Sequence, residues 1–291
     1  MIQPASQDWE LDFYSRPILE ADGKKRWELL ICSTPDLATD AEPFRFVRAC
    51  PASSVNSSWL KQALNAALES AAEQGLGQPR RLRCWRASMR TMVQRAAEGL
   101  GLELIASRRC YALVEWLQER ERTVYPAEEG YMAGPLAPGP LPIQPLALPL
   151  PEAARGDSWD WATLPIEALR DAPEWSLGFN GLVPIPAQLD GEAAVPGLRL
   201  FSATRALAIA GWLSGLEPVR LEISGRQLVL EAGLEDRWLL ANLNDDEAEA
   251  AAQAFRLSIA EAGGLQFVAV QSSASATSLE GFWLLRSLPD G

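Results

Sequence analysis

The residues best suited to chemistry lie in an arginine-rich segment between Gln74 and Ala97. The segment contains six arginines and one tryptophan, Trp85, and it has no acidic residue. A guanidinium group binds phosphate through paired hydrogen bonds, and an aromatic ring among such groups can stack on an unpaired base. The segment therefore predicts a contact with phosphate or RNA. Its arginines are Arg80, Arg81, Arg83, Arg86, Arg90 and Arg95.

Further basic residues extend this prediction to other parts of the first 130 residues. Lys24-Lys25-Arg26 follows the turn dipeptide Asp22-Gly23, and Arg108 follows a later strand. In the fold proposed below, several of these side chains are expected to converge on one end of a sheet. The predicted RNA-binding set is Arg16, Lys24, Lys25, Arg26, Arg80, Arg83, Trp85, Arg86, Arg90 and Arg108, with Tyr14 as a second stacking group.

A structural role is the alternative for the same residues. Arginines on strands and helices often pair with nearby carboxylates, and residues 1–130 are almost neutral, with 17 Lys+Arg against 18 Asp+Glu. Trp85 suits a hydrophobic core as well as a stacking surface. The basic turn equally suits a solvated sheet edge that resists aggregation. Both interpretations stay open on the sequence.

Metal-dependent nuclease chemistry would need several carboxylates around a divalent ion. Asp12 on the first strand and Glu69 on the first helix suit two of these positions. The fourth strand ends in "CWRASM" and offers no carboxylate. The sequence therefore predicts a non-catalytic protein without a metal or other cofactor.

Histidine and cysteine usage removes other kinds of site. The chain has no histidine, which excludes the commonest general base and any Ser-His or Cys-His nucleophile. Its four cysteines, Cys32, Cys50, Cys84 and Cys110, form no Cys-x-x-Cys pair. They are expected to be buried free thiols.

The two halves of the chain differ in net charge, and the acidic residues are in excess in the second half. Of the net charge of −12, residues 131–291 carry −11, with 9 Lys+Arg against 20 Asp+Glu. Such asymmetry is typical of halves with different partners. No stretch approaches the ~20 apolar residues of a membrane span, and "MIQPASQDWE" has no signal-peptide features. The expected location is the cytoplasm, without membrane insertion.

The elements that position the basic residues begin with a hairpin. Apolar and polar residues alternate on both sides of Asp22-Gly23, which predicts two strands joined by a two-residue type I′ turn. A third strand, "PFRFVRAC", precedes a helix capped by Asn56 or Ser57. A short strand, a helix capped by Ser88, a fifth strand and a third helix follow. This βββαβαβα order is that of the ribonuclease-H-like fold.

The chain is expected to form two α+β domains. Residues 1–128 form the ribonuclease-H-like domain, and residues 129–155 form a proline-rich connector with leucines to bury. Residues 156–291 form an acidic α+β domain, in which Asn244 caps a long helix and the tryptophans fill a core. Eight prolines lie from Pro126 to Pro151, seven of them in the connector.

Several segments together resemble one known family along nearly the whole chain. They are "WELDFYSRPIL", "GKKRWELLIC", "SRRCYALVEWLQERERTVYP", "GLRLFSATRALAIAGWL", "DRWLLANL" and "GFWLLR". The chain resembles the Tab-two/Atab-two family of cyanobacteria and of algal and plant chloroplasts. The resemblance implies binding of single-stranded, A/U-rich RNA and a role in the translation of photosystem messages, without catalysis. It identifies no site residues.

Two functional hypotheses follow. In the first, the N-terminal domain binds single-stranded RNA and the acidic C-terminal domain contacts proteins. In the second, the chain is a protein-interaction or photosystem assembly factor that binds no RNA directly. A metal-dependent nuclease that uses Asp12 is the third and weakest hypothesis.

Overall fold

The computed structural model describes residues 8–35, 41–133, 146–243 and 245–287. It divides into two compact units, one formed by the residues up to Leu141 and the other from Pro142 to Asp290. Both units mix helices and strands, so the predicted α+β class is confirmed. The domain limits at residues 128 and 155 stay a prediction, and residues 134–145 of the connector lie outside the described part of the chain.

The N-terminal unit is built on one five-stranded sheet, in the order β3-β2-β1-β4-β5. The first three strands are antiparallel, whereas β4 and β5 join β1 as parallel neighbours. Its elements are β1 (Trp9–Leu19), β2 (Lys25–Ser33), β3 (Arg45–Cys50), α1 (Ser57–Glu73), β4 (Leu82–Cys84), α2 (Arg90–Glu98), β5 (Leu104–Ala106) and α3 (Tyr111–Thr123).

The hairpin between β1 and β2 forms at Asp22-Gly23, but its turn differs from the expected type. The Gly23 amide donates to the Glu20 carbonyl, and the Glu20 amide donates to the Lys24 carbonyl. Within this turn, only Gly23 has a positive φ, of 76°. The connection is therefore a three-residue loop with glycine in the left-handed region, and the predicted type I′ turn is wrong.

Both faces of this sheet are covered. Trp9, Leu11 and Phe13 of β1 pack with apolar residues of α1 and α2. The opposite face lies under α3, whose Leu113 and Leu117 join Ile18 of β1 in a second cluster. The polar side chains of β1 and β2 that alternate with the apolar ones are consequently buried instead of solvated. Glu10, Asp12, Arg16 and Glu28 are all at most 3% exposed.

A bulge interrupts β1 near its end. Ser15 pairs with Trp27 and Leu19 pairs with Lys25, so β1 has two more residues than β2 between these pairs. Pro17 lies in this stretch, where its missing N–H costs no ladder bond to β2. The backbone of this stretch forms a hydrogen bond outside the β1–β2 ladder: the Pro17 carbonyl accepts from the Met132 amide. Arg16 lies on the α3 side of the sheet with Asp12, as strand alternation along β1 predicts.

The predicted side-chain cap is present at the start of α1 and absent at the start of α2. Asn56 caps α1, because its side chain accepts from the Trp59 amide at 2.9 Å, and this confirms one of the two expected caps. Ser88 does not cap α2. It lies in a short 3-10 turn, Ala87–Met89, and the cap position of α2 is Met89, with no side-chain hydrogen bond.

The C-terminal unit has two sheets. The first has the order β10-β11-β12-β6, and the second has the order β7-β9-β13-β14-β8. The sequence did not predict β6, β7, β8 and α4. The elements are β6 (Leu148–Pro149), β7 (Ser158–Pro165), α4 (Ile166–Arg170), β8 (Phe179–Gly181), β9 (Ala194–Phe201), α5 (Ala206–Leu216), β10 (Pro218–Ser224), β11 (Gln227–Ala232), β12 (Asp236–Asn242), α6 (Asp245–Glu261), β13 (Leu265–Gln271) and β14 (Gly281–Arg286).

The core of the C-terminal unit uses the predicted tryptophans in part. Trp283 is buried, whereas Trp159, Trp161, Trp212 and Trp238 pack against the core from its half-buried rim. The described end of the proline-rich segment joins this unit, because Leu148-Pro149 pairs with Trp238-Leu239. Asn244, the expected cap of α6, lies outside the described residues.

The four cysteines are free and buried, as expected. Among the described residues, no helix is both long enough and apolar enough to cross a membrane.

Candidate nucleic-acid interface

The arginine-rich segment does not form one surface, because its first part surrounds an aspartate. Asp8 accepts two hydrogen bonds from Arg80, at 3.0 and 3.2 Å, and one from Arg81 at 2.9 Å. Arg83 lies 2.9 Å from the same carboxylate. Burial opposes the charge of Asp8, but the three guanidinium groups outweigh burial and hold its pKa below the ordinary value. These arginines lie where β1 and β4 begin.

The second part of the segment joins a buried ion cluster at the other end of β4. Asp12 lies 2.8 Å from Arg16 and 2.5 Å from Arg86. Burial favours the neutral acid, but the two guanidinium groups outweigh burial and lower the pKa of Asp12. Arg16 and Arg86 are only 1% and 2% exposed. Neither side chain is therefore at the surface of the folded protein.

Glu28 extends the ion cluster toward α3. It accepts from the Tyr125 hydroxyl at 2.8 Å and from Arg120 at 3.2 Å, and it lies 3.4 Å from Arg16. Burial raises the pKa of Tyr125 to about 12, so this hydroxyl stays a donor at neutral pH. Asp12 and Glu28 thus have cationic partners where a nuclease would need free carboxylates. Within the described ranges, no group of three or more aspartate, glutamate or cysteine side chains is placed to hold a metal ion.

Trp85 belongs to the same cluster. Its indole N–H donates to Asp12 at 3.1 Å, and its ring packs against the α3-side apolar residues. The Arg86 guanidinium carbon lies 4.4 Å from the Trp85 ring centre and 4.1 Å from that of Tyr14. Arg86 is therefore held between two aromatic rings. At least one face of Trp85 is covered, and the residue is half-buried.

The basic hairpin turn is balanced by acids. Arg26 lies 2.8 Å from Glu128 and 3.6 Å from Glu20, and Lys24 lies 3.7 Å from Asp22. Lys25 is exposed, and no ion pair joins it to any residue that the structure describes. The turn thus supplies one unpaired cation instead of three.

The remaining predicted residues are Arg90 and Arg108. Arg90 is exposed at the first position of α2, and it forms no ion pair within the described part of the chain. The first turn of α2 has no acidic residue, so its positive helix end is not neutralised by its own sequence. Arg108 is half-buried after β5 and contacts neighbouring groups.

Sequence reasoning missed Arg48, on the edge strand β3. Its guanidinium carbon lies 5.6 Å from the ring centre of Trp59, which is in the first turn of α1. Arg48 is exposed, and α1 also lacks acids in its first turn. The signal available in the sequence was the pair of arginines in "RFVRAC", followed by a helix with an early tryptophan. The RNA-binding prediction relied on runs of basic residues and therefore did not include Arg48.

A series of aromatic contacts joins Arg86 to Arg48. Tyr14 contacts Trp27 at 5.6 Å, Trp27 contacts Phe13 at 5.5 Å, and Phe13 stacks on Trp59 at 5.5 Å with an interplanar angle of 14°. The series runs from the buried Arg86 to the exposed Arg48. Tyr14, Trp27 and Trp59 are half-buried, so parts of their rings reach the surface.

We define the basic face as Lys25, Trp27, Arg48, Trp59 and Arg90. Cross-strand register places Phe13, Leu29 and Arg48 in one row on the side of α1 and α2, and Lys25 and Trp27 alternate onto that side. The basic face combines three exposed cations, two helix ends without acids and two half-buried tryptophans. Chemically it can bind phosphate groups and stack on exposed bases.

Comparison with known proteins gives matches to both halves of the chain. Residues 8–120 match the family described as RNA-binding protein Tab2/Atab2 N terminal, and residues 138–286 match RNA-binding protein Tab2/Atab2, C-terminal domain. The chain is 36% identical to the chloroplastic protein TAB2 homolog of Zea mays, over 99% of this chain and 74% of that protein. It is 33% identical to the one of Arabidopsis thaliana, over 97% and 75%. No solved structure matches.

Proposed function

Because this chain belongs to the Tab2/Atab2 family of RNA-binding proteins, we propose that it binds single-stranded RNA through the basic face of its N-terminal unit. The observation that carries the proposal is the exposed Arg48 over the half-buried Trp59, with two further exposed cations on β2 and at the start of α2, none of the three with an ion pair among the described residues. The family membership supports RNA as the polyanion.

The proposal changes the set of RNA-contacting residues. Lys25 and Arg90 remain from the sequence prediction, and Arg48 with Trp27 and Trp59 is added. The other predicted residues have protein partners or lie buried, and we propose that they shape the unit behind the basic face. They are Arg16, Lys24, Arg26, Arg80, Arg83, Trp85, Arg86 and Arg108.

We further propose that the N-terminal unit is a ribonuclease-H-like domain without catalytic activity. The βββαβαβα order of its elements and the strand order β3-β2-β1-β4-β5 support this interpretation. The pairing of Asp12 with Arg16 and Arg86 supports the absence of nuclease chemistry, because a carboxylate engaged in this way has no free charge for a metal ion.

The RNA is proposed to be A/U-rich, and the role is proposed to be the translation or biogenesis of photosystem subunits. The resemblance to the family supports both statements. The cytoplasmic location expected from the sequence stays a prediction. No cofactor is part of the proposed function.

Fluorescence anisotropy with an A/U-rich single-stranded RNA across a salt series tests RNA binding, beside a G/C-rich strand. The double variant Lys25→Gln/Arg90→Gln should weaken binding and reduce the slope of log affinity against log salt by about 1.4. The control variant, Arg95→Gln/Arg122→Gln, removes two charges from the last turns of α2 and α3 and should bind normally. Equal binding by all three proteins would exclude the basic face.

A protein-interaction factor remains the second candidate function. The observation in its favour is the charge of −11 on residues 131–291, which suits basic protein partners better than RNA. Partners that stay bound to the purified chain after ribonuclease treatment would support it. Absence of RNA binding at low salt, with such partners present, would make it the leading function.

A further inference from the structure

The edge strand β3 carries two arginines in nearly equivalent surroundings. Arg45 lies over Trp116 of α3 at 5.2 Å, and Arg48 lies over Trp59 of α1 at 5.6 Å. The two side chains point to opposite faces of the sheet, because they are three residues apart on one strand. Each arginine is exposed and forms a cation–π pair with a tryptophan of the helix on its own side.

Charge distinguishes the two pairs. Arg45 lies 3.2 Å from Glu119, one helical turn from Trp116, so its guanidinium already has an anionic partner. Arg48 has no ion pair within the residues that the structure covers. Because the Arg48 guanidinium is exposed, its N–H groups can contact a phosphate group and its plane can contact a flat ring.

Trp59 is held in position from below. Its ring stacks on the buried Phe13 with an interplanar angle of 14°, and its backbone amide is fixed by the Asn56 cap. Phe13 and Arg48 belong to one cross-strand row and each contacts the Trp59 ring, so the three side chains form one packed layer. Such a layer is already ordered before binding, so a stacking ligand meets a smaller entropic cost.

We propose that the Arg48 guanidinium, supported by Trp59, is a stacking position for one unpaired RNA base. The inference rests on the proposed function and specifies its ligand, because bases inside a duplex are stacked on each other and cannot reach this layer. Stacking of this kind tolerates any base, since every base has a π face.

Lysine and alanine substitutions separate stacking from charge. Arg48→Lys keeps the charge and loses the planar group, whereas Arg48→Ala loses both. Arg45→Lys is the matched control on the same strand. The probe is an A/U-rich RNA, used as a single strand and annealed to its complement, with affinities measured at several salt concentrations and the fold checked by thermal unfolding.

Arg48→Lys is expected to weaken single-strand binding by at least about fivefold, to leave the weaker duplex binding and the salt slope unchanged, and so to reduce the preference for single strands. Arg45→Lys should behave like the unmodified protein. If Arg48→Lys binds normally while Arg48→Ala is weakened, Arg48 only contacts phosphate and the stacking inference is overturned. If the unmodified protein binds no RNA, the proposed function itself fails.

Discussion

The indole N–H of Trp85 donates a hydrogen bond to the buried carboxylate of Asp12, at 3.1 Å. This bond joins the most plausible stacking residue of the sequence to the most plausible metal ligand, and it makes both of them part of one ion cluster. The two residues are 73 positions apart. The chemistry that each suggests alone is therefore replaced by a mutual structural role.

Removing the carboxylate of that cluster should destabilise the N-terminal unit strongly. Asp12→Ala leaves Arg16 and Arg86 buried without their shared partner, which costs about 3–5 kcal/mol for a broken buried pair. Urea unfolding of the purified protein measures this cost. Glu69→Ala, at an exposed position of α1, is the control and should change stability by less than about 0.5 kcal/mol. A stable Asp12→Ala variant would contradict the buried cluster.

Glu10 should make stability depend on pH near neutrality. Its carboxylate accepts from the Leu113 amide and the Thr34 hydroxyl, but burial outweighs these bonds and raises its pKa to about 7, from the ordinary 4.5. A raised pKa means that the folded state binds the proton more tightly. The free energy of unfolding should therefore fall as pH rises from 4.5 to about 7, by up to about 3 kcal/mol.

Glu10→Gln should remove this dependence, because the amide cannot ionise. Urea unfolding of both proteins across this pH range measures the difference between their curves. Parallel curves would mean that Glu10 titrates at its ordinary pKa. Asp8 and Asp12 act in the opposite sense, since their pKa values are lowered, and their stabilisation is lost only as pH falls below the ordinary range of aspartate.

The four thiols should be unreactive in the folded protein. Burial raises the pKa of Cys84 to about 12 and of Cys50 to about 11, and it raises those of Cys32 and Cys110 well above the ordinary value. Since the thiolate is the reactive form, a thiol reagent at about pH 8 should label the native protein slowly. The same reagent should label all four cysteines in denaturant. Rapid native labelling would show that a thiol is exposed.

The Asn56 cap should support both α1 and the surface formed by Trp59. Asn56→Ala removes the hydrogen bond to the Trp59 amide and should cost about 1 kcal/mol of stability, measured by urea unfolding. Asn56→Asp is the control, because it restores an acceptor at the same position. An equal loss in both variants would show that the cap contributes nothing.

Structural features that depend only on neighbouring residues were predicted well from the sequence. The alternation in "WELDFYS" and the Asn56 cap depend on neighbouring residues, and both are found in the structure. The turn type and the Ser88 cap were wrong, because each has a close local competitor: a three-residue loop with one left-handed glycine, and a 3-10 turn that extends into α2.

The site was harder to predict because charge pairing is decided at long range. Arg80 meets Asp8 across 72 residues, and Arg120 meets Glu28 across 92. A count of arginines along the chain cannot reveal such partners. Arg48 was missed because its contact with Trp59 also depends on the fold. The two residues meet only when β3 and α1 pack together.

The ion cluster of Asp12, Arg16 and Arg86 also constrains how this protein can change over evolutionary time. Loss of the carboxylate leaves two uncompensated guanidinium groups, and loss of either guanidinium weakens the hold on the carboxylate. Each single step is therefore less stable than the starting point, whereas joint replacement by apolar residues need not be. These three positions should accordingly vary as a set among family members, and the gain of a metal-binding centre here would need several simultaneous substitutions.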